Sequence, residues 1–169
     1  MTNAPKKRTL LLVPMKDPEK SKTRLRDSLN LKDRAYLAKS LFKRTLQILK
    51  IVANNNASLR LDLAVISASP EIIDLSKSNN LFSILETGTQ SLKNATEIAK
   101  VWATNNGYRS ICILPADLAN PDPEEIISFL KEANGNRFVT LSPSVDLGTN
   151  ALHISLPTNF NFRYGKKSF

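Results

Sequence analysis

Four basic side chains, Lys16, Lys20, Lys22 and Arg24, fall within nine positions just after the apolar run at 10–13. A buried strand that empties into a cationic loop is a common way to hold a polyphosphate at the edge of an open sheet. The loop lacks the Gly-x-x-x-x-Gly-Lys spacing of the standard phosphate-binding loop, so side-chain charge must act beside backbone amides. Lys16, Lys22 and Arg24 are the candidates for that work. Lys20 and Arg26 rank lower, and Lys166 and Lys167 read as tail charge.

Asp117 closely follows a second apolar run, 111–114. A carboxylate there can hold Mg²⁺ that bridges phosphate oxygens, with substrate and water completing the shell. A plain turn cap is the competing role, but Asp122, ahead of Pro123-Glu124-Glu125, already has the helix-capping position. One carboxylate rarely makes a magnesium site. Asp146 is the candidate second ligand, against the plainer reading of a turn residue. Gly148-Thr149-Asn150 follows another strand and offers backbone, a hydroxyl and an amide to a small carboxylate or phosphate. Gly165-Lys166-Lys167-Ser168 is a second candidate anion-binding turn.

Other chemistries are excluded. Cys112 is the one cysteine, so there is no internal disulfide and no cysteine zinc cluster; set in an apolar run, it reads as a buried, inert thiol. His153 is the one histidine, which rules out a multi-histidine metal site, and its alternating surroundings suit a structural role. No Ser/His/Asp hydrolase arrangement is suggested.

These residues need elements to position them. Strands are expected at 10–13, 61–66, 81–85, 111–114 and 137–141, with a sheet-edge strand at 151–156. A helix capped by Asn30, with Asp33 at the third position, carries an apolar stripe of Leu37, Leu41, Ile48 and Val52 beside Ala38, Phe42 and Leu49. Shorter helices start at Ser69-Pro70-Glu71, near Leu92 (with Leu92, Ala95, Ala99, Trp102 and Ala103 inward) and at Asp122. This β-α-β-α-β order implies an α/β three-layer sandwich around a mainly parallel, Rossmann-like sheet. The loops 14–24, 67–70, 86–92, 115–122 and 142–150 all follow strands, so they converge on one rim, where such folds bind ligands.

A chain of 169 residues suits a single domain, 1–169, and 41% hydrophobic with 23% charged residues excludes wholesale disorder. The 24 Lys plus Arg against 15 Asp plus Glu favour anionic partners without choosing among nucleotide, metabolite, nucleic acid or membrane surface. Nucleic acid ranks last, since the basic loop has no interleaved aromatics and no recognition-helix motif is evident. The apolar run after Lys6-Lys7-Arg8 is too short for a signal peptide, and none has transmembrane length. The expectation is a soluble cytoplasmic protein with no membrane partner. Oligomeric state is open, a homodimer being one option.

Taken together, the segments Val13-Pro-Met-Lys16, Ser21-Lys-Thr-Arg-Leu25, Leu29-x4-Arg34, Leu114-Pro-Ala-Asp117, Gly148-Thr-Asn-Ala-Leu152 and Phe162-x-Tyr-Gly-x2-Ser-Phe169 resemble the CofC/FbiD guanylyltransferases of deazaflavin (coenzyme F-420) biosynthesis. The resemblance runs in order across nearly the whole chain. It implies the nucleotide-diphospho-sugar transferase type of fold, shared with molybdenum-cofactor guanylyltransferases. It also implies transfer of GMP from GTP to 2-phospholactate, phosphoenolpyruvate or 3-phosphoglycerate with release of diphosphate. On this resemblance Lys16, Lys22 and Arg24 are catalytic, and Pro14, Lys16, Ser67, Asn94 and Asp117 bind nucleotide. Thr149, Asn150, Gly165 and Ser168 hold the acceptor acid, and Asp117 holds Mg²⁺. Leu147 and Ala119 stand where the family often has glycine and proline. The family usually continues past Phe169 to a further metal-binding carboxylate, so the domain is expected to be C-terminally incomplete. The alternatives are a non-catalytic nucleotide-binding module, or a nucleotidyltransferase with a sugar phosphate or pterin acceptor.

Overall fold

The computed structural model describes residues 8–118, 120–133, 135–144 and 148–164. The asparagines, proline and glycine that punctuate the chain set the element boundaries. Strand β1 (Thr9–Pro14) leads through two single 3-10 turns, Pro18–Lys20 and Thr23–Leu25, into helix α1 (Leu31–Asn55). The Asn30 side chain accepts from the Asp33 amide at 3.0 Å and opens α1. Then come β2 (Leu61–Ser67), α2 (Pro70–Ser78), β3 (Phe82–Leu85), α3 (Leu92–Asn105) and β4 (Ser110–Ile113). Helix α4 (Pro123–Lys131), capped by Asp122 onto Glu124 N, precedes the β5 (Val139–Pro143) and β6 (Thr149–Ser155) hairpin.

The six strands form one sheet in the order β3-β2-β1-β4-β6-β5. β1 pairs in parallel with both β2 and β4, and only β6 runs against the rest. Because β1 side chains alternate, Leu11 and Val13 pack under α1, α2 and α4, while Leu10 and Leu12 pack toward α3 and the segment around Phe162. Two apolar layers therefore cover the sheet, as the alternating element order implies.

Three expectations are corrected. The strand read at 151–156 as the sheet edge lies inside the sheet, between β4 and β5, with Ala151 to Ser155 all buried. The hairpin folds β6 back inward, so β5 takes the edge, and its Val139 and Leu141 are exposed. The buried face of α1 is also rotated. Ala35, Thr45 and Leu46 join Ala38, Phe42, Leu49 and Val52 inside, while Leu37, Leu41 and Ile48 sit half-buried on its shoulders. In α3, Leu92 is exposed and Trp102 half-buried.

Candidate active site

Strand order reverses at β1: the chain moves outward to β2 and β3, then returns to place β4 on the other flank. Such a switch point leaves a crevice beyond the carboxyl ends of the two strands. The loop after β1 and the loop after β4 form its lips. Here a cavity of about 370 Å³ opens, lined by Pro14, Lys16, Lys22, Asp117, Thr149 and Asn150 among others.

Lys22 and Asp117 meet across the crevice, Nζ to Oδ2 at 2.5 Å. Lys22 reaches this position from a left-handed backbone, φ 53°, between the two 3-10 turns. That conformation is costly for a residue with a Cβ and persists where its surroundings hold it. Asp17 caps the first turn by accepting from Glu19 N, and Ser21 Oγ donates to Asp17 O. Helix α1 braces both lips. Arg34 donates to Ser21 O at 3.3 Å, and three turns later the buried Thr45 hydroxyl donates to Ala116 O at 3.3 Å.

Lys16 lines the cavity and, among the described residues, has no ion-pair partner. Lys20 also lines it, 3.8 Å from Asp17. With Lys22 and Asp117 matched, the phosphate-sized region keeps positive charge. The facing wall comes from Thr149 and Asn150 at the start of β6; Asn150 also donates to Pro143 O at 3.4 Å. Tyr164 closes one side, stacked on Phe162 with centroids 6.1 Å apart. Burial pushes its phenol up to about 12, so it stands in the wall as a neutral hydroxyl.

The family model described as guanylyl transferase, CofC like, matches residues 9–169. The chain belongs to this family. A 3-phospho-D-glycerate guanylyltransferase from Colwellia psychrerythraea is 37% identical over 158 residues, covering 94% of this chain and 72% of that protein. A phosphoenolpyruvate guanylyltransferase from Rubrobacter xylanophilus is 28% identical, covering 94% and 74%. A crystal structure assigned as a nucleotide-diphospho-sugar transferase, from Desulfovibrio desulfuricans G20, superposes with a TM-score of 0.68 at 19% identity. It covers 89% of this chain, and the chain spans 64% of that protein's length. The likeness establishes the nucleotide-diphospho-sugar transferase fold.

Within this guanylyl transferase fold, the other candidate residues are placed as follows. Ser67 is fully buried and does not line the cavity; its hydroxyl accepts from Ser69 N at 3.0 Å. Asn94 stands behind the wall, its amide donating to Thr87 O at 2.8 Å and to Glu86 at 3.4 Å. Arg24 is exposed outside the cavity. Gly165, Ser168 and Asp146 lie outside the described residues. His153 is buried against Ser110, 3.0 Å away, and Cys112 is fully buried, its thiol pushed up by burial. Glu86, Ser91 and Tyr164 line the cavity without having been singled out as site residues. Glu86 follows β3 much as Asp117 follows β4, and that shared position is the signal that could have found it.

Among the described residues no group of three or more His, Cys, Asp or Glu could hold a metal. At the lips between β1 and β4 the donor is the half-exposed Asp117 carboxylate, already holding an ammonium, with Glu86 elsewhere in the cavity lining. That donor fits a hard cation that keeps its waters and arrives on a triphosphate, and it does not fit a dedicated protein cage. Among the described residues no helix is long and apolar enough to cross a membrane.

Proposed function

We propose that this chain transfers GMP from GTP to the phosphate of a three-carbon phosphorylated acid and releases diphosphate, in coenzyme F-420 biosynthesis. The Lys22–Asp117 contact carries the reading, since it brings a phosphate-binding cation and a metal-binding carboxylate to one point on the switch crevice. Thr149 and Asn150 on the facing wall support placing the acceptor acid there. The more similar relative is named for 3-phospho-D-glycerate, so that acid is our first choice. Phosphoenolpyruvate comes second and 2-phospholactate third.

An oxygen of the acceptor phosphate attacks the α-phosphorus in line. The new P–O bond forms as the bond to the β-phosphate oxygen breaks, its electron pair leaving with diphosphate. No base is required, because the attacking oxygen is already anionic; positioning and charge stabilisation do the work. Lys16 and Lys22 neutralise the triphosphate and the charge that develops on the departing diphosphate. Asp117 would hold magnesium, which would supply positive charge to offset that of the phosphates. With its carboxylate partner engaged by a metal, Lys22 would be free to turn to the phosphates. An enzyme of GTP and a phosphorylated acid belongs in the cytoplasm, where both are made.

The test mixes protein, Mg²⁺ and GTP with each of the three acids and follows diphosphate release. Release that depends on one acid, with a GDP-linked product, supports the proposal. Magnesium-dependent GTP binding with no turnover on any acid would leave a nucleotide-binding module instead.

A further inference from the structure

Glu86 is an anion in a wall otherwise suited to phosphate. It follows β3, its amide donates to Ser67 O at 2.9 Å, and its side chain lines the cavity. Oε1 accepts from Ser91 N at 3.0 Å and from the Asn94 amide at 3.4 Å. Asn94 is fixed in turn by its bond to Thr87 O. Among the described residues no cation pairs with Glu86, and its Oε2 has no partner. That oxygen is open to water, and a ligand edge made of N–H groups can take the water's place.

Lateral position separates this acid from the phosphate end. β2 and β1 lie between β3 and β4, so three strand spacings, about 14 Å, separate the strand ends that carry Glu86 and Asp117. That spacing sets the two acids on different parts of the rim. It suits a nucleotide whose phosphates sit at the β1–β4 crevice and whose base extends toward β3.

We infer that Glu86 reads the base, selecting guanine by accepting at Oε2 from its N1–H and 2-amino group. Guanine offers those two donors side by side. Adenine sets a ring lone pair against the carboxylate at the corresponding place, and hypoxanthine keeps N1–H but lacks the amino group. The inference rests on the GTP reading above and names the residue that gives it base specificity. The plainer role, a strut for the 86–91 loop and the start of α3, would affect all nucleotides alike.

Calorimetric dissociation constants for Mg²⁺–GTP, ITP and ATP test this in wild type, Glu86→Gln and Glu86→Ala. In Gln the carbonyl must stay on Ser91 N–H, which turns the NH₂ toward the base. Wild type should bind GTP at least about tenfold tighter than ITP, and ITP tighter than ATP, as loss of a charge-assisted bond implies. Both variants should weaken GTP at least about tenfold and leave ATP unchanged or tighter, so the GTP-to-ATP preference collapses. Equal weakening of all three nucleotides, or none, overturns the inference and leaves the GTP reading standing. Wild type that binds GTP no tighter than ATP overturns both. The GTP-to-ITP comparison needs no substitution, so it decides even if a variant fails to fold; equal affinity for those two sinks the assignment.

Discussion

Asp117 and Lys22 are partly exposed, 49% and 23% of their side chains, so their ion pair contributes under about 1 kcal/mol. The left-handed backbone at Lys22 costs about 1–3 kcal/mol, at least as much. Stability therefore gives little reason for either residue to be there, and charge placement for a ligand gives a good one. Asp117→Asn should shift Tm by less than about 4 °C while lowering turnover about 10²- to 10³-fold. Thermal melts beside the diphosphate assay check this; a variant that unfolds yet spares activity would make Asp117 a structural cap. Lys16→Met should raise the GTP dissociation constant about tenfold or more with Tm unchanged, because no partner is lost. The positions of Lys16, Lys22 and Asp117 at the rim were legible because each lies just past an apolar strand. Ser67, at the end of β2, and Asn94, in the first turn of α3, were pointed to only by the family resemblance. Which way their side chains turn depends on local bonds, to Ser69 N and Thr87 O, that spacing does not reveal.

Helix α1 acts on the site without entering it. Thr45 is fully buried and donates to Ala116 O, beside Asp117. A stripe search counts apolar residues only, so it passes over a threonine whose hydroxyl is spent on a distant carbonyl. Thr45→Val should cost about 1–2 kcal/mol by leaving that carbonyl unsatisfied. It should also lower kcat about tenfold through a displaced Asp117. Chemical denaturation and turnover at saturating substrate would check the pair of effects; a stability loss with kcat intact would confine Thr45 to the core. Strand β6 was harder to read, because His153 and Ser155 interrupt its apolar run and look like solvent-facing positions. Inside the sheet they are met by Ser110 and Phe138 instead. Burial, with Arg109 nearby, lowers His153 from 6.5 to about 4. As pH falls below 6.5 the unfolded chain takes up this proton before the folded one. Stability is thus full above that pH, declines toward pH 4, and loses on the order of 3 kcal/mol from this group. His153→Gln should flatten the stability slope between pH 6.5 and 4; an unchanged slope would assign it to other groups.

At the scale of the molecule, the alternation of strands and helices was enough to imply a covered parallel sheet, and the rim followed from it. The insertion of β6 between β4 and β5 was not legible, since chain order carries no information about whether a hairpin folds inward or outward. The formal charge of +9 is likewise ambiguous as a bulk number. Its meaning depends on where unmatched cations meet a concave surface, and Lys16 in the switch crevice is such a place. If the cavity takes Mg²⁺–GTP, the folded state alone can bind it, because loops after β1, β3 and β4 must all be assembled. At one hundred times its dissociation constant the ligand would add about 2.7 kcal/mol, a rise in Tm of about 5–10 °C for a chain of this size. Mg²⁺ alone should produce almost no rise, since no group of three or more metal-binding side chains lies among the described residues and Asp117 is already engaged by Lys22. Asp117→Asn should lose most of the GTP-linked shift that depends on magnesium. Differential scanning fluorimetry with Mg²⁺, GTP and both together separates these cases; a full shift with Mg²⁺ alone would mean that the metal has a protein-built site elsewhere.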